Sequence, residues 1–511
     1  MPHCVAVMSS EMVTMTSRQI DVVDVVVVGF GAAGATAAIT AKAAGAEVVV
    51  VEKAPWEYRG GNSRVSGQIV FWPNDIAKAV QYFKALASPY LDRIPDTMIE
   101  VWATEMYANR AWLESLGMQV ATVQSTEFPE FPGSDCVEVL LHRHGSYGGA
   151  RLWDQVIEPA FAATGIHVLY DTPALRLLTM NGAVSGVEVR QDGRIRGITA
   201  RRGVVLASGG FQADQAMIRT YFGDLPYCHL LGTPYNTGDG IRMAMGVGAD
   251  LWHMNNMAGP NLSFRAQEFP VAARLGTIKA DSYLYVAADG RRFVSEASNF
   301  KVEKGRQHSP IKHGKILNHG RFVQYPCPVP IHLVFDETVR KAGGLCAKAA
   351  GFAFGWDVIH GDLYGWSTDN QREIERGWIK QADTVAALGA AIGLPAGVLE
   401  DTVGTFNAAC AAGIDRDFGR NALAPLITPP FYALELGPAS LNTQGGPVRN
   451  ERAEIISVDG HPIPRLYSAG ELGSIYSYRY QAGGNLGECF AFGRIAGRNA
   501  ASHSPLEDCE P

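Results

Sequence analysis

Residues 24–34 of the 511-residue chain read Asp-Val-Val-Val-Val-Gly-Phe-Gly-Ala-Ala-Gly, an apolar run that leads directly into closely spaced glycines. Its uninterrupted valines are typical of a strand that is buried on both faces of a parallel sheet. The Gly-x-Gly-x-x-Gly spacing follows at once, and an alanine-rich helix is predicted to about residue 44. A second apolar strand over residues 47–51 ends at Glu52. Together these segments predict one complete βαβ unit in about 30 residues, and therefore an α/β fold of the Rossmann type.

Each part of this unit has a physical role in holding a dinucleotide. Gly29 permits a tight turn, Gly31 lets a pyrophosphate approach the backbone, and Gly34 lets the helix approach the strand. The helix N-terminus offers N–H groups and the positive end of its dipole to phosphates. Glu52 can accept hydrogen bonds from ribose hydroxyls. The unit predicts a dinucleotide site, but it does not distinguish NAD from FAD.

Further glycine-rich strand ends are spread along the chain. They occur at residues 59–63, 203–211, 465–471 and 483–488, the last at the start of a helix predicted to about residue 501. Such scattered ends suit one extended cofactor that is contacted from many places. A second complete Gly-x-Gly-x-x-Gly is absent from the sequence, so a separate NAD domain is not indicated.

Composition excludes several classes of function. With 44 basic and 51 acidic residues, the net charge of -7 gives no general attraction to nucleic acid or to anionic lipid. The eight cysteines are scattered without a Cys-x-x-Cys pair, which argues against zinc, haem and iron–sulfur motifs and predicts reduced thiols. Neither an apolar run long enough to span a membrane nor a secretory leader is recognisable, so we expect a cytoplasmic protein without a membrane span.

Taken together, these segments resemble the superfamily of FAD-containing fumarate reductases and 3-ketosteroid dehydrogenases. The resemblance covers most of the chain beyond about residue 22 and rests on an ordered set of motifs. Besides the βαβ unit, these are Gly-Gly-Asn-Ser at 60–63, Ala-Ser-Gly-Gly-Phe at 207–211, Thr-Gly-Asp-Gly at 237–240, Asn-Thr-Gln-Gly-Gly at 442–446, Ala-Gly-Glu at 469–471 and Phe-Gly-Arg-Ile-Ala-Gly at 492–497.

The resemblance implies a Rossmann-type FAD-binding domain over residues 1–253 and 440–511, with an inserted α+β cap domain over residues 254–439 that holds the substrate. The cap sequence is compatible with this. Residues 283–294 predict a hairpin around Asp289-Gly290, and residues 384–388 and 398–412 predict amphipathic helices. In the FAD-binding part, residues 187–199 predict another hairpin around Asp192-Gly193.

The cofactor implied is FAD, held without a covalent bond, because members that attach FAD covalently use a His in the loop after the second strand. Here that loop, residues 56–66, contains no His. Glu52 is implied at the adenosine ribose, Glu471 near the ribityl chain, and the last helix at the pyrimidine end of the flavin. The residues assigned to FAD are Gly29, Gly31, Ala33, Gly34, Glu52, Lys53, Gly61, Asn62, Ser63, Ser208, Gly209, Asp239, Gly470, Glu471, Asn485 and Leu486.

The substrate side departs from the fumarate reductase pattern. Those enzymes hold a dicarboxylate with His and Arg, since buried carboxylates need cations or charge-assisted donors. The proton-donating Arg has a counterpart in Arg340, and Glu296 of its proton path is retained, but the second Arg of that path becomes Asn299. The anchoring positions themselves hold neutral residues, namely Asn442, Ser477, Gln481 and, with a less definite register, Met257.

Ketosteroid dehydrogenases instead use a Tyr four residues before a glycine at a helix start, and both donate to the ketone oxygen. Tyr480 and Gly484 have that spacing. Loss of a proton next to a ketone builds enolate charge on the oxygen, and two preorganised donors stabilise that charge. Tyr478 and Tyr476 are weaker candidates, because tyrosines that alternate along a strand also fit plain packing against the cap.

The proton-transfer partner is the weakest part of this pattern. In the family version acting on the Δ4 bond, the base Tyr falls on Asn299, and an amide cannot take the proton. Arg340 is one substitute, although it is an unusual base and also fits a salt bridge with Asp336. Tyr147, in a loop before a helix, is a further candidate.

Three hypotheses follow. The leading one is an FAD-dependent enzyme that forms or reduces the carbon–carbon bond α,β to a ketone in an apolar, cyclic or 3-ketosteroid-like substrate, together with an external electron acceptor or donor. The second is a fumarate-reductase-like reductase of an unsaturated carboxylate that uses Arg340 as proton donor. The third is an electron-transfer flavoprotein with no small substrate of its own.

Overall fold

The structure is a computed structural model. It describes residues 20–506 except for residues 89, 144–150, 224, 259–260, 297–301, 304–305, 308–310, 313–314, 319–320, 325–327, 347–354, 357–358 and 360–362. The candidate residues Tyr147 and Asn299 lie outside the described residues.

The strands form two large sheets and several small ones. In chain order they are β1 Val22–Val28, β2 Val48–Val51, β3 Val70–Pro73, β4 Val120–Gln124, β5 Val137–His142, β6 His167–Leu169, β7 Ala174–Met180, β8 Ala183–Gln191, β9 Arg194–Leu206, β10 His229–Leu230, β11 Leu251–Trp252, β12 Met257–Ala258, β13 Asn261–Phe264, β14 Ala273–Arg274, β15 Tyr283–Val286, β16 Val302–Glu303, β17 Arg306–Gln307, β18 Ile311–Lys312, β19 Lys315–Asn318, β20 Arg321–Gln324, β21 Ile331–Asp336, β22 Ile379–Ala382, β23 Phe431–Ser440, β24 Asn442–Thr443, β25 Gly446–Pro447, β26 Glu454–Ile456 and β27 Pro462–Ser468.

The α-helices are fewer and longer. They are α1 Ala32–Ala43, α2 Gly61–Val65, α3 Ile76–Ala87, α4 Asp96–Ser115, α5 Glu158–Ala162, α6 Gln215–Tyr221, α7 Asp239–Met245, α8 Glu337–Ala342, α9 Gln371–Glu375, α10 Val385–Ala391, α11 Val398–Ala412 and α12 Gly484–Ser502. The helices predicted in the cap are confirmed as α10, which Thr384 caps through its side chain, and α11.

The first sheet contains the predicted βαβ unit. Its order is β26-β27-β9-β1-β2-β6, and β7 and β8 extend it from β9. β1 pairs in parallel with both β2 and β9, so that Val25 lies opposite Val48 on one side and Gly203 on the other. Because β2 and β9 cover both edges and a hydrophobic cluster packs on each face, the valine run of residues 25–28 is buried throughout.

Glycines let α1 pack unusually close to its neighbours. Gly29 has a φ of +101°, and a Cβ there would lie 2.6 Å from the Ala207 carbonyl oxygen. A Cβ on Gly34 would overlap the carbonyl oxygen of Gly29. From the other side, a Cβ on Gly493 of α12 would lie 2.8 Å from Thr36 Cβ, and one on Gly497 would overlap the α1 backbone. The three elements therefore meet with almost no side chain between them.

The second sheet belongs to the cap. Its order is β14-β13-β23-β21-β15, with β10 and β22 also paired to β23. α10 and α11 cover one face through a cluster that includes Leu388, Leu399 and Phe406. The strand β10 already belongs to this sheet, although it lies before residue 254. The limits of the cap at residues 254 and 439 therefore stay a prediction.

One predicted hairpin is confirmed and the other is wrong. β8 and β9 form the hairpin around Asp192-Gly193, with Gln191 opposite Arg194, and β9 continues without a break to Leu206. Residues 283–294 do not form a hairpin, because β15 pairs with β21 and residues 291–294 are not a strand. The turn at Asp289-Gly290 is present, but the strand before it, β15, pairs with β21 and not with the residues after the turn.

Within the described part of the chain, no helix is long and apolar enough to cross a membrane.

The glycine packing gives a first prediction. We expect Gly34→Ala to lower the melting temperature of the FAD-bound protein by several degrees and to reduce its FAD content, because the new methyl group overlaps backbone. Gly404→Ala is the matched control. It lies inside α11 with no atom within 4 Å of the added Cβ, so it should be neutral or slightly stabilising. Equal thermal stability of the two variants would contradict this account of α1.

Candidate active site

A cavity opens at the carboxyl ends of β1, β2 and β9, where the glycine turn meets α1. Most of the residues predicted to bind FAD line it, namely Gly29, Gly31, Ala33, Glu52, Lys53, Gly61, Asn62, Ser63, Ser208, Gly209, Asp239 and Glu471. Gly34 and Gly470 are not among these lining residues, and both pack closely: a Cβ on Gly34 would overlap the Gly29 carbonyl oxygen, and one on Gly470 would lie 2.8 Å from Ala33 Cβ. Their assignment to FAD stays a prediction. Asn485 and Leu486 lie in the first turn of α12.

The cavity fits a dinucleotide in two respects besides its lining. A Cβ on Gly31 would meet only Ser63 Oγ at 3.4 Å and the Gly60 carbonyl at 3.8 Å, so the turn faces open space at the N-terminus of α1. The buried hydroxyl of Ser208 has no hydrogen-bond partner among the residues that the structure describes. A pyrophosphate and its sugar hydroxyls would supply what these groups lack.

Glu52 is fixed before any ligand arrives. Its carboxylate accepts the N–H of Phe30 at 2.7 Å and the N–H of Ala54 at 2.8 Å. Burial raises the pKa of Glu52, although these two bonds oppose the rise. The carboxylate is therefore held at the end of β2 against the glycine turn, where a ribose of the dinucleotide is expected.

Two predicted cofactor residues pair with each other. Lys53 forms an ion pair with Asp239 and donates to Thr237 Oγ1 at 2.5 Å. Asp239 is the first residue of α7 and follows Gly238, whose φ is +77°. The pair ties α7 to the end of β2, and both side chains are only partly exposed at the cavity wall.

The loop after β2 joins three parts of the site. Ser63 accepts the N–H of Ala32, at the start of α1, at 2.9 Å. Asn62 donates to the Leu441 carbonyl and to Glu471, and its own oxygen accepts the Thr233 N–H at 2.9 Å. These bonds explain why Asn-Ser follows the glycine pair in this loop.

Sequence reasoning missed a buried ion pair beneath the site. Arg449 pairs with Glu488 of α12, and neither side chain is exposed. Glu488 also accepts from Ser474 Oγ at 2.5 Å and from the Ile475 N–H at 2.7 Å. This ties residues 474–475, which follow the Ala-Gly-Glu motif, to α12. The one sequence feature that could have indicated this ion pair is Arg449 itself, which lies three residues after the Gly445-Gly446 pair.

The hydroxyl of Tyr480 lies at the N-terminus of α12. Its oxygen accepts the Asn485 N–H at 3.4 Å, and burial raises the pKa of Tyr480. The Gly484 N–H, in contrast, donates to the Gln481 carbonyl at 2.9 Å. The second donor predicted for a ketone is therefore already engaged. Tyr478 is half-buried, and its ring packs edge-on against Tyr90 at 5.3 Å.

Gln481, which the resemblance places where fumarate reductases carry an Arg, has an amide that is fully used by the protein. The amide oxygen accepts Tyr82 Oη at 2.7 Å and the Glu127 N–H at 3.0 Å. The amide nitrogen donates to the carbonyls of Ser125 at 3.2 Å and Ala482 at 3.3 Å. No donor or acceptor of this side chain is left for a substrate.

The other residues that the resemblance assigns to the anchoring positions are also neutral and buried. Ser477 is buried and directs its hydroxyl to the Ala87 carbonyl at 3.5 Å. Asn442 is buried in β24, which pairs with β12 so that Met257 lies opposite Thr443. Ser477, Asn442 and Met257 therefore bring no cation to the positions for which the resemblance implies His and Arg.

Arg340 is paired, but not with Asp336. Its guanidinium donates to both oxygens of Glu337 at 2.5 and 2.6 Å and to the Asp369 carbonyl at 3.1 Å. Asp336 instead caps α8 by accepting the Thr338 N–H at 3.0 Å. The Glu337 carboxylate raises the pKa of Arg340 further, so the guanidinium stays charged.

Glu296 has a different set of partners. It pairs with Arg292 at 2.6 Å and lies 3.6 Å from Arg420, and all three side chains are almost fully buried. The hydrogen bonds described for Arg340 and Glu296 therefore do not join the two ends of the predicted proton path. The described contacts likewise do not bring Arg340 to Tyr480.

Known proteins resemble this chain along most of its length. The profile of the FAD binding domain family matches residues 24–486. A fumarate reductase (cytochrome) from Shewanella frigidimarina is 28% identical, over 97% of this chain and 80% of that protein. A 3-oxosteroid 1-dehydrogenase from Mycobacterium tuberculosis is 27% identical, over 94% of this chain and 98% of that protein.

A solved structure agrees with the fold. The 3-ketosteroid delta1-dehydrogenase from Sterolibacterium denitrificans, in complex with 1,4-androstadiene-3,17-dione, superposes with a TM-score of 0.72 at 22% identity, covering 94% of this chain and 99% of that one. Together these likenesses confirm the predicted α/β fold class and FAD as the cofactor.

The site yields a pH prediction. Burial raises the pKa of Glu471 from 4.5 to about 8, which the Asn62 amide only partly offsets. Between these pH values the folded FAD-free protein keeps a proton that the unfolded chain has lost, so its free energy of unfolding falls as pH rises. Glu471→Gln has no carboxyl group at this position, so its free energy of unfolding does not show this fall with rising pH. We expect its melting temperature, relative to the native FAD-free protein, to be several degrees higher at about pH 8.5 than at about pH 5. A difference that does not change with pH would contradict the assignment.

Proposed function

Since the chain belongs to the FAD binding domain family and is an FAD-dependent oxidoreductase of the fumarate reductase and ketosteroid dehydrogenase group, we propose that its substrate is an apolar cyclic ketone. The reaction forms or reduces the carbon–carbon bond α,β to the carbonyl. A 3-ketosteroid-like ring system is the proposed substrate class, and a separate electron acceptor or donor completes the cycle. FAD is proposed to be held without a covalent bond.

The observation that supports this proposal most is that the side-chain amide of Gln481 is fully hydrogen-bonded within the protein. The amide is saturated by Tyr82 and the 125–127 segment, so it cannot act as a weakened substitute for the Arg of a dicarboxylate site. Ser477 and Asn442 are neutral and buried. Two carboxylates brought into such surroundings would lose their hydration without gaining cations, which costs several kcal/mol for each charge. A neutral carbonyl has no such cost.

Tyr480 supplies the chemistry that a ketone needs. A hydroxyl that accepts a helix N-terminal N–H becomes a better donor of its own proton, because hydrogen bonds polarise one another. The positive end of α12 also favours negative charge nearby. As an α-proton leaves, charge moves to the carbonyl oxygen, and a preorganised donor there stabilises the enolate by about 3–4 kcal/mol. Bound FAD supplies two-electron hydride chemistry at the adjacent carbon.

Proton transfer is assigned to Arg340 or to a tyrosine of the cap, with Tyr147 as a further candidate. Because Glu337 keeps the Arg340 guanidinium charged, Arg340 suits the donor role in the reducing direction better than the role of base. In the dehydrogenating direction, a cap tyrosine or Tyr147 would have to accept the proton.

A second candidate is the reduction of an α,β-unsaturated carboxylate. The retention of Arg340 and Glu296 favours it, as does the 28% identity to the fumarate reductase of Shewanella frigidimarina. The two candidates differ in the charge of the group that must be held beside the reacting carbons.

A substrate panel separates them. The oxidised FAD-bound protein is mixed without oxygen with saturated cyclic ketones, and the photoreduced protein is mixed with cyclic enones, fumarate and acrylate. We expect the ketones to bleach, and the enones to restore, the flavin absorbance near 450 nm, roughly its usual maximum. Recovery with fumarate or acrylate but not with enones would favour the second candidate, and no response to any ketone or enone would contradict the first.

A substitution tests the proposed donor. We expect Tyr480→Phe to lower kcat by about a hundredfold or more, because one preorganised donor to the enolate oxygen is lost. Tyr107→Phe is the control, since that ring is partly exposed on α4. Single-turnover flavin reduction measures both. If Tyr480→Phe reduces the flavin at a rate close to that of the native enzyme, Tyr480 only packs and is not the donor.

A further inference from the structure

Tyr476 carries a buried hydroxyl without a partner. Its side chain is 1% exposed, and its ring packs edge-on against Tyr480 at 5.3 Å and against Trp102 at 6.3 Å, with Phe83 at 5.7 Å. Among the residues that the structure describes, nothing forms a hydrogen bond with the hydroxyl oxygen. Burial of a hydroxyl without a partner is unfavourable, so its retention calls for an explanation.

The hydroxyl of Tyr476 lies directly against Gly484. A Cβ added to Gly484 would overlap the Tyr476 oxygen. Gly484 does not have a positive φ, so its backbone conformation does not require glycine, and alanine would favour a helix. The absence of a side chain at this position makes room for the hydroxyl at the N-terminus of α12.

The group that the family pattern assigns as second donor is not free here. The Gly484 N–H donates to the Gln481 carbonyl at 2.9 Å, within the turn that leads into α12. A carbonyl oxygen held by Tyr480 would therefore lack this second donor. Burial also raises the pKa of Tyr476 well above its usual range, so its hydroxyl keeps the proton that a donor needs.

We propose that Tyr476 donates the second hydrogen bond to the substrate carbonyl oxygen, so that a Tyr476–Tyr480 pair, and not Tyr480 with the Gly484 amide, holds the ketone. This inference rests on the proposed function and assigns a second residue at the same site. The hydroxyl of Tyr476 gains its hydrogen bond only when the carbonyl oxygen arrives. The new hydrogen bond offsets the cost of burying the Tyr476 hydroxyl. A ligand without an oxygen beside this hydroxyl leaves that cost in place, so the site favours ligands that carry one.

The test uses a ligand that mimics the enolate. The FAD-bound protein is titrated with 4-chlorophenol, whose phenolate carries its charge on one oxygen, and binding is followed by the long-wavelength absorbance of a phenolate–flavin complex. We expect Tyr476→Phe and Tyr480→Phe each to weaken binding by about tenfold or more, since each removes one bond to a charged oxygen. Tyr107→Phe should bind within about twofold of the native protein.

A second measurement excludes a structural role. Because the Tyr476 hydroxyl has no partner in the described structure, Tyr476→Phe should leave the melting temperature of the ligand-free holoenzyme unchanged or raise it. A lower melting temperature with loss of FAD would show that the hydroxyl is bonded within the protein and would overturn the inference.

The outcomes separate the two proposals. Weaker binding in Tyr480→Phe with native affinity in Tyr476→Phe would overturn the role of Tyr476 alone. Native affinity in both variants, or no phenolate binding by the native protein, would also contradict the proposed ketone site. Weaker binding in both variants, with the control unchanged, supports the pair.

Discussion

The close contact of α1 with β1 on one side and α12 on the other is the constraint on which the rest of the site depends. It requires glycine at positions 34, 493 and 497, because a methyl group at any of them would overlap or crowd backbone or a Cβ atom. A β-branched strand and two helices can then lie together without large side chains between them. As a result, the glycine turn, the end of β2 and the Ala-Gly-Glu segment line one cavity, which is built from distant parts of the chain.

On the proposed substrate side, polar side chains form their hydrogen bonds and ion pairs with other groups of the protein. The buried pair of Arg449 and Glu488 ties residues 474–475 to α12, and Gln481 is saturated by Tyr82 and the 125–127 segment. Polar groups satisfied in this way rigidify the chain between residues 471 and 484. The hydroxyls of Tyr476 and Tyr480 beside α12 remain as the groups suited to an uncharged oxygen.

Local patterns predicted much of this structure. The βαβ unit, the roles of Gly29 and Gly34 and the hairpin at Asp192-Gly193 depend on residues close in sequence, and all were recognisable. What failed depends on partners that no sequence period reveals, some of them distant in the chain and some only three or four residues away. The strand β15 pairs with β21 and not with its own hairpin arm. The partner of Arg340 is Glu337, whereas Asp336 is used to cap α8. The saturation of Gln481 depends on residues 125–127, which lie far from it in sequence, whereas the bond from the Gly484 N–H to the Gln481 carbonyl is formed within the local turn at residues 481–484.

In the proposed function, a neutral, tyrosine-lined site polarises a ketone oxygen at the start of α12. The most direct measurement is an infrared difference spectrum of a cyclic enone, labelled with ¹³C at the carbonyl, bound to the oxidised FAD-bound protein. Strong donors weaken the carbonyl bond, so we predict that its stretching frequency falls below the value in water and that Tyr480→Phe reverses part of the fall. A bound enone whose carbonyl frequency is as high as in an apolar solvent would contradict the account.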